Sequence, residues 1–234
     1  MISWDDIIEQ IDVEMPSLSA AQRCHHAIIA AIKAHLLQSG ARVVESELCR
    51  VLAVSRTPLR EAVAMLRAQG VLEFDGNNLA VRKLGWSDIH DLYDMRILLE
   101  GAAAKGAAQR AGAAEKQVFA HLLAQEASYL DTGADPATLA AHNGRFHSAL
   151  LDAARNPFLT EALSRLSHLL VLLGDTAYLL DGRAHVIFDE HKAVITAIDA
   201  GNEVAAEQAM QHHLKQALAA RLQLLAMRQD QVMD

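Results

Sequence analysis

The chain has 234 residues, of which 52% are hydrophobic, 21% are charged and only 4% are aromatic. This composition excludes a disordered chain, a collagen and a small disulfide-stabilised domain, and it is typical of a helix-rich protein with a sizeable core. The formal net charge of −8 argues by itself against a nucleic-acid partner, because phosphate binding requires a basic surface.

The beginning of the chain does not resemble an export signal, because Asp5, Asp6 and Glu9 stand where such a signal is basic and then apolar. The longest apolar run is far shorter than the roughly 20 residues that a membrane helix needs. The two cysteines, Cys24 and Cys49, are interpreted as reduced thiols. We therefore expect a cytoplasmic protein without a membrane segment.

The first 85 residues are organised as short helices followed by a hairpin. A helix over 3–12 lies in an N-terminal extension, residues 1–19, to which the sequence assigns no role. Ser55 is well suited to cap the last helix, and Pro58 suits its first turn. The alternating pattern after Gly70 indicates two short strands joined by a turn over 75–78. Three helices followed by a hairpin predict a winged helix-turn-helix over residues 20–84; these helices are predicted over 20–38, 45–53 and 56–69.

The net charge of the whole chain hides an asymmetry. Residues 20–84 contain nine Lys or Arg and five Asp or Glu, which gives this segment a net charge of +4. Because the whole chain carries −8, the remaining residues carry −12. Such a split is typical of a nucleic-acid-binding module joined to an acidic body. The alternative is a chance cluster of charges on a solvated face.

The start of the third of these helices carries the most specific signal, Val54-Ser-Arg-Thr-Pro-Leu-Arg-Glu-Ala-Val63. In a helix-turn-helix, the N-terminal residues of the second helix of the motif reach base edges in the major groove. Arginine can make a bidentate contact with guanine, whereas Ser, Thr and a helix N-terminus suit phosphate. Arg56 and Arg60 lie one turn apart on the same face, although they could also be ordinary surface charges.

Residues 22–84 resemble the winged helix-turn-helix of the GntR family of bacterial transcription regulators. The family pattern reads roughly Ser-Arg-Thr-Pro-Val-Arg-Glu-Ala-Leu, and the resemblance implies that Ser55, Arg56, Thr57 and Arg60 contact operator DNA. The segment Gly76-Asn77-Asn78 departs from the family, which usually has an Arg-Gly pair at the wing tip. Further matching positions are Glu45, Glu47, Leu48, Leu66, Gly70, Val71 and Leu72.

The rest of the chain is predicted to be wholly helical, with Gly, Pro and Asn marking the helix ends. Short connections favour an antiparallel bundle over residues 86–228. The predicted fold class is therefore mostly α, with a winged helix-turn-helix followed by an all-helical bundle. The six helices are predicted over about 87–112, 114–130, 136–154, 157–180, 183–200 and 202–228.

Histidines on three of these helices form a candidate metal site. His147, His191 and His213 lie on separate helices, and Asn143 precedes His147 by one turn. Imidazoles that converge inside a bundle suit Zn²⁺, Ni²⁺, Fe²⁺ or Mn²⁺. Spacing alone does not establish convergence, and a single histidine on an apolar helix face is more often a core residue. Most of the other histidines of the bundle need no functional explanation, and His90, His121 and His142 could face solvent.

Residues 86–228 resemble the FCD ligand-binding domain of the FadR subfamily. The resemblance implies a divalent metal held by an Asp or Asn and three histidines, here Asn143, His147, His191 and His213. His212 competes with His213, and a neutral Asn143 is a weaker ligand than the Asp that is frequent there. The matching segments are Asp91-Leu-Tyr-Asp-Met-Arg96, Leu99-Glu100, Phe146-His147, Asn156-Pro157-Phe158-Leu159, Glu190-His191, Ala197-Ile198 and His213-Leu214.

A metal with open coordination positions could bind the carboxylate of a small organic acid. The resemblance implies Arg96 as a second anchor for this effector, since guanidinium pairs well with carboxylate. An ion pair between Arg96 and Glu100, one helical turn later, is an equally open interpretation.

Three hypotheses follow from the sequence. The first is a metabolite-responsive transcription regulator that binds operator DNA as a homodimer and responds to a small organic acid. The second is a metal-dependent hydrolase, in which Glu190 lies beside His191, although no His-Glu-x-x-His motif is present. The third is a regulator without a metal, in which the histidines are structural.

Overall fold

The computed structural model describes residues 2–174 and 176–233, and α-helices dominate it, as predicted. The chain divides into two compact units. The winged-helix unit comprises Met1–Trp86 together with Arg165–Gly174, and the bundle unit comprises Ser87–Ser164 together with Asp175–Asp234. No helix among the described residues is both long and apolar enough to cross a membrane.

The winged-helix unit has the predicted order of elements. Its two strands pair antiparallel, with Leu72 opposite Val81, and Arg42 forms an additional bridge to Ala80. The hairpin turn at Gly76, where φ is +58°, suits glycine because other residues rarely adopt this conformation. The elements are α1 Trp4–Glu14, α2 Ala20–Lys33, α3 Glu45–Val51, α4 Arg56–Ala68, β1 Leu72–Asp75 and β2 Asn78–Val81.

The N-terminal extension is part of this unit. Helix α1 begins with a capping box in which the Ser3 and Asp6 side chains bond each other's backbone amides. Its buried residues Ile7 and Ile11 pack in one apolar cluster with Ala27 and Ala31 of α2. The apolar spacing recognised in residues 3–12 therefore serves to attach the extension to α2.

Two local details differ from the sequence prediction. Helix α2 ends at Lys33 rather than near residue 38, because the backbone takes a left-handed conformation at His35, with φ of +59°. Ser55 does occupy the N-cap of α4, but its side chain makes no capping hydrogen bond. The hydroxyl of Ser55 thus contributes little to the stability of α4.

The bundle unit is built around small side chains on α5. Gly101 of this helix approaches α10 so closely that a Cβ there would meet Cγ of Gln211 at 3.0 Å. Larger side chains from the other helices, including Phe119, Phe146 and Leu150, fill the core. The remaining helices of the chain are α5 Trp86–Arg110, α6 Ala113–Thr132, α7 Pro136–Ala154, α8 Pro157–Leu170, α9 Arg183–Asp199 and α10 Glu203–Met233.

The single helix predicted over 157–180 is wrong. Helix α8 ends at Leu170 and is followed by two short 3₁₀ turns, Val171–Leu173 and Ala177–Leu179, while Asp175 of the predicted helix lies outside the described residues. Gly174 has φ of +74° and ψ of −128°, a conformation that residues with a Cβ rarely adopt.

The end of α8 and the first 3₁₀ turn contribute to the core of the winged-helix unit. Leu169, Val171 and Leu172 pack in one cluster with buried residues of α2 and α4, among them Ile28 and Leu59. The sequence predicts this stretch to be part of the helical domain over residues 86–228. Its membership of the winged-helix core was therefore not predicted.

Candidate metal centre and nucleic-acid interface

The bundle unit brings three of the predicted ligands together. His147 of α7, His191 of α9 and His213 of α10 each offer a ring nitrogen, and these atoms all lie within 4.8 Å of one another. His191 and His213 are fully buried, and His147 is largely buried. Phe146 stacks on the ring of His191, with the two centroids 3.9 Å apart, and closes one side of the cluster.

Each imidazole is oriented by a glutamate from another helix. Nδ1 of His147 donates to Oε2 of Glu100 on α5. Nδ1 of His191 lies 2.9 and 3.1 Å from the two carboxylate oxygens of Glu126 on α6. Nδ1 of His213 lies 2.8 Å from Oε2 of Glu190 on α9. A carboxylate accepts the Nδ1 proton, so each ring is held in the tautomer whose Nε2 carries a free lone pair.

Two of the Nε2 atoms of the cluster, those of His147 and His191, are buried and have no hydrogen-bond partner among the described residues. A buried polar atom without a partner is costly and calls for an explanation such as an ion or a water. Three imidazole nitrogens, each backed by a carboxylate, are the donor set that a divalent transition metal prefers. The residues present therefore fit a metal ion.

Two of the three glutamates are held in turn by buried guanidinium groups. Nε of Arg96 donates to Oε1 of Glu100 at 2.7 Å. Arg183 binds Glu190 in a bidentate manner, with nitrogen–oxygen distances of 2.8 and 2.9 Å. Burial by itself raises the pKa of Glu100, but Arg96 and His147 outweigh it, so this pKa lies below its ordinary value. The same balance holds for Glu190, where His213 and Arg183 outweigh burial and lower the pKa.

The histidines are shifted in the direction that favours metal binding. Burial lowers the pKa of His191, and it lowers the pKa of His213 to about 3. Both rings are therefore neutral near pH 7. A neutral imidazole is the form that ligates a metal, so protons compete little for these two nitrogens.

The remaining predicted site residues of the bundle are placed as follows. Asn143 lies on α7, half-buried, one turn before His147, and its role as a ligand stays a prediction. His212 is exposed, whereas His213 is the member of the cluster. Arg96 forms an ion pair with Glu100, which was one of the two interpretations offered by the sequence, beside an effector anchor. A contact of Arg96 with an effector stays a prediction.

The expectation that His142 faces solvent is wrong. His142 is 1% exposed and accepts a hydrogen bond at Nδ1 from Nη2 of Arg145, at 3.2 Å. Its Nε2 lies 4.0 Å from Oε2 of Glu126, and burial lowers the pKa of His142. His90 and His121 are exposed, as expected.

The predicted DNA-contacting residues form one exposed face at the start of α4. Ser55, Arg56, Thr57 and Arg60 are all exposed, whereas Leu59 is fully buried on the opposite face. The Arg60 side chain is 68% exposed and lies 3.5 Å from Glu45 of α3, a distance typical of a weak surface ion pair. The guanidinium groups of α4 are therefore accessible to a partner.

The orientation of the histidines by three glutamates was not predicted from the sequence. Glu100 could have been found from its position one turn after Arg96, and Glu190 from its position beside His191. Glu126 has no comparable local signal, because its partner His191 lies 65 positions further along the chain.

A winged helix-turn-helix with exposed arginines on α4, followed by a helical unit with a buried histidine cluster, is typical of one-component transcription regulators. Comparison with known proteins gives the same class and identifies the family within it. Residues 91–216 match the FCD domain family, and residues 20–78 match the family described as bacterial regulatory proteins, gntR family. The chain belongs to the GntR family of bacterial transcription regulators, and its winged helix-turn-helix is followed by an FCD domain.

Individual relatives agree with this assignment. The chain is 28% identical over 175 residues to the "Uncharacterized HTH-type transcriptional regulator YdhC" of Bacillus subtilis (strain 168), a match that covers 74% of this chain and 78% of YdhC. It is 29% identical over 206 residues to the "Probable D-xylose utilization operon transcriptional repressor" of Paenarthrobacter nicotinovorans, with 86% and 88% of the two chains covered.

A solved structure supports the fold. The structure of E. coli McbR/YncC matches with a TM-score of 0.75 and 18% identity, over 89% of this chain and 99% of that chain. GntR regulators bind operator DNA and small-molecule effectors, and this chain is a DNA-binding regulator rather than an enzyme. The hydrolase alternative finds no support, because the matched families and relatives are regulators.

Proposed function

We propose that this protein is a cytoplasmic, metabolite-responsive regulator that binds operator DNA as a homodimer and holds a divalent metal and a small carboxylate effector in its bundle unit. The observation that carries the proposal is the cluster of His147, His191 and His213, in which each Nδ1 is bound to a carboxylate. Asn143 is expected to complete the ligand set.

The chemistry of the proposed ion follows from its ligands. Neutral imidazole and amide donors leave the positive charge of a divalent ion uncompensated in the first coordination sphere, so an anionic ligand is favoured at an open position. A bound metal would act as the anchor for one carboxylate of a small organic acid. Arg96 would supply a second anchor through its terminal nitrogens, because its hydrogen bond to Glu100 uses Nε.

The DNA-binding role rests on the exposed face of α4. Arg56 and Arg60 are proposed to contact bases or phosphates in the major groove, and Ser55 and Thr57 are proposed to contact the backbone at the helix start. Two α4 helices in a homodimer would read half-sites that are about one helical turn of DNA, roughly 34 Å, apart.

Elemental analysis of protein purified without chelators tests the metal. We expect stoichiometric divalent metal in the parent and in His212→Ala, whose side chain is exposed. His147→Ala and His191→Ala should lose the metal while keeping the helical circular dichroism of the parent. Failure of the parent to take up Zn²⁺, Ni²⁺, Fe²⁺ or Mn²⁺ would support the regulator with purely structural histidines instead.

Binding to a DNA fragment from upstream of the protein's own gene tests the interface. Arg56→Ala and Arg60→Ala should weaken binding strongly. Lys105→Ala removes the same charge from the bundle unit and should leave affinity unchanged. Equal binding by all three variants would refute the assignment of α4 as the recognition helix. Sedimentation of the same samples should give twice the 25.4 kDa mass of one chain, and a monomer would refute the homodimer.

A further inference from the structure

Three buried side chains of the bundle unit carry hydrogen-bonding groups that have no partner among the described residues. These groups are Nε2 of His142, the hydroxyl of Tyr178 and Nε of Arg183. None of the three residues is more than 9% exposed, and all belong to the same unit as the histidine cluster. A buried polar atom without a partner is costly, so each of these groups calls for a water or a ligand.

The three groups lie around two of the orienting glutamates. Nε2 of His142 is 4.0 Å from Oε2 of Glu126, beyond hydrogen-bond distance. Arg183 binds Glu190 through both terminal nitrogens, so its Nε–H is directed elsewhere. Burial raises the pKa of Tyr178, and the nearby carboxylates of Glu126 and Glu190 raise it further. The unpartnered groups therefore share one neighbourhood, which the two glutamates connect to the proposed metal site.

All three groups can donate a hydrogen bond. Arg145 offers only N–H groups, so His142 accepts at Nδ1, and the proton of its neutral ring lies on Nε2. The carbonyl of Leu122 is close to this ring, but Nε2 forms no hydrogen bond of normal geometry with it. The raised pKa keeps the Tyr178 hydroxyl protonated, and the guanidinium of Arg183 is always protonated. A ligand for these groups must therefore offer acceptor oxygens.

The charges of this neighbourhood favour a neutral oxygen over an anionic one. Arg183 compensates the charge of Glu190. Glu126 is hydrogen-bonded to His191, whose ring burial keeps neutral, and no cationic side chain pairs with Glu126 among the described residues. A second carboxylate beside the three donors would be repelled by Glu126. A hydroxyl group can instead accept from a donor and give its own proton to that carboxylate.

We propose that His142, Tyr178 and Arg183 form a hydroxyl-binding subsite that makes the protein selective for a hydroxylated monocarboxylic acid, such as a sugar acid. This inference rests on the proposed function, in which the metal holds the carboxylate of the effector. The hydroxyl groups of the same molecule accept hydrogen bonds from the subsite and donate one to Glu126. An acid without hydroxyl groups binds less tightly, because it leaves the buried donors without partners.

Calorimetric titration of the full-length, Zn²⁺-loaded protein with matched acids tests the subsite. Each set of probes has one carbon number and contains a hydroxy acid, a plain acid and a dicarboxylic acid. The sets are lactate, propionate and malonate; threonate, butyrate and succinate; and gluconate, hexanoate and adipate. Three lengths are used because the molecule has to reach from the metal to Tyr178.

Tyr178→Phe removes the hydroxyl and keeps the ring. Tyr129→Phe is the matched control, because Tyr129 packs in the same apolar cluster while its hydroxyl lies 3.4 Å from the exposed Arg145. We expect the parent and Tyr129→Phe to bind the hydroxy acid of at least one set about 10-fold more tightly than its two analogues. Tyr178→Phe should weaken binding of that acid by about 5- to 150-fold. Its affinity for the plain acid, and for Zn²⁺ in competition with a chelator, should stay unchanged.

Two results would overturn the subsite and leave the proposed function standing. A preference for the hydroxy acid that survives in Tyr178→Phe would arise from chelation of the metal by the hydroxyl group. Equal affinity of the parent for all three acids in every set would show that water alone satisfies the three donors. A loaded parent that binds no acid would contradict the carboxylate effector as well. A parent that takes up no Zn²⁺ would contradict the proposed metal and the subsite that rests on it.

Discussion

Replacing Glu126 with Gln tests whether the orienting glutamates tune the proposed metal site. The carboxylate of Glu126 is 2% exposed, and its two oxygens lie 2.9 and 3.1 Å from Nδ1 of His191. The amide of Gln keeps the size of the side chain but removes its negative charge and one acceptor oxygen. His191 then loses basicity at Nε2 and part of its orientation.

The expected loss can be estimated from similar outer-shell groups, whose removal costs about 10- to 100-fold in metal affinity. This corresponds to about 1.4–2.8 kcal/mol. We expect the loss of metal affinity in Glu126→Gln to lie near the larger value, because water does not reach the buried pair to replace the lost hydrogen bond. The stability of the metal-free protein should change less, since the substitution also removes a buried charge.

Competition between apo protein and a chromophoric chelator for Zn²⁺ measures the change. Glu207→Gln is the control, because it removes the same charge from the bundle unit at a side chain that is 33% exposed and 3.8 Å from Lys105. Thermal unfolding of the apo forms checks that both variants fold. A Zn²⁺ affinity of Glu126→Gln within about twofold of the parent would refute the argument that the Nδ1–carboxylate bond tunes the site.

Four further substitutions have expected outcomes. Ser19→Ala removes a capping box from α2 and should lower the free energy of unfolding in urea by about 1 kcal/mol. Ser55→Ala loses no capping hydrogen bond, so it should change this free energy little and weaken DNA binding instead. Equal losses of stability in the two variants would contradict this expectation. Phe146→Ala empties a core site that is 1% exposed and should cost about 3–5 kcal/mol in the same assay, and a loss below about 1 kcal/mol would show that the core collapses around it. Arg60→Ala should make the slope of log affinity against log salt shallower by about one, and an unchanged slope would exclude a phosphate contact.

The order of elements could be predicted from the sequence, because it depends on signals that act over a few residues. Ser3, Ser19 and Pro136 mark helix starts, and Gly76 marks the hairpin turn, at the places where the structure has them. The charge of +4 on residues 20–84 and the exposed arginines of α4 are likewise local properties of the chain. The acidic total of −8 therefore did not exclude a DNA-binding protein, since the acidic residues belong to the rest of the chain.

The candidate metal centre was predictable only in part. The resemblance to the FCD domain selected His147, His191 and His213, but their convergence depends on how three helices pack. The assignment of Glu126 to His191 depends on the same packing, because the two residues are 65 positions apart and share no helix face. Burial of His142, in contrast, was open to prediction, because His142 lies three residues after Leu139 and four before Phe146, on the buried face of α7.

The sequence by itself determined most of the helical segments and where they begin, though not where α2 and α8 end, and it determined which residue types were available for DNA and metal. The tertiary structure decided which side chains meet: the glutamate behind each histidine, and the place of Leu169 and Leu172 in the winged-helix core. The physical reason is the range of the interactions. Caps, turns and helical periodicity are set within about four residues, whereas hydrogen bonds between buried side chains depend on close packing of distant segments.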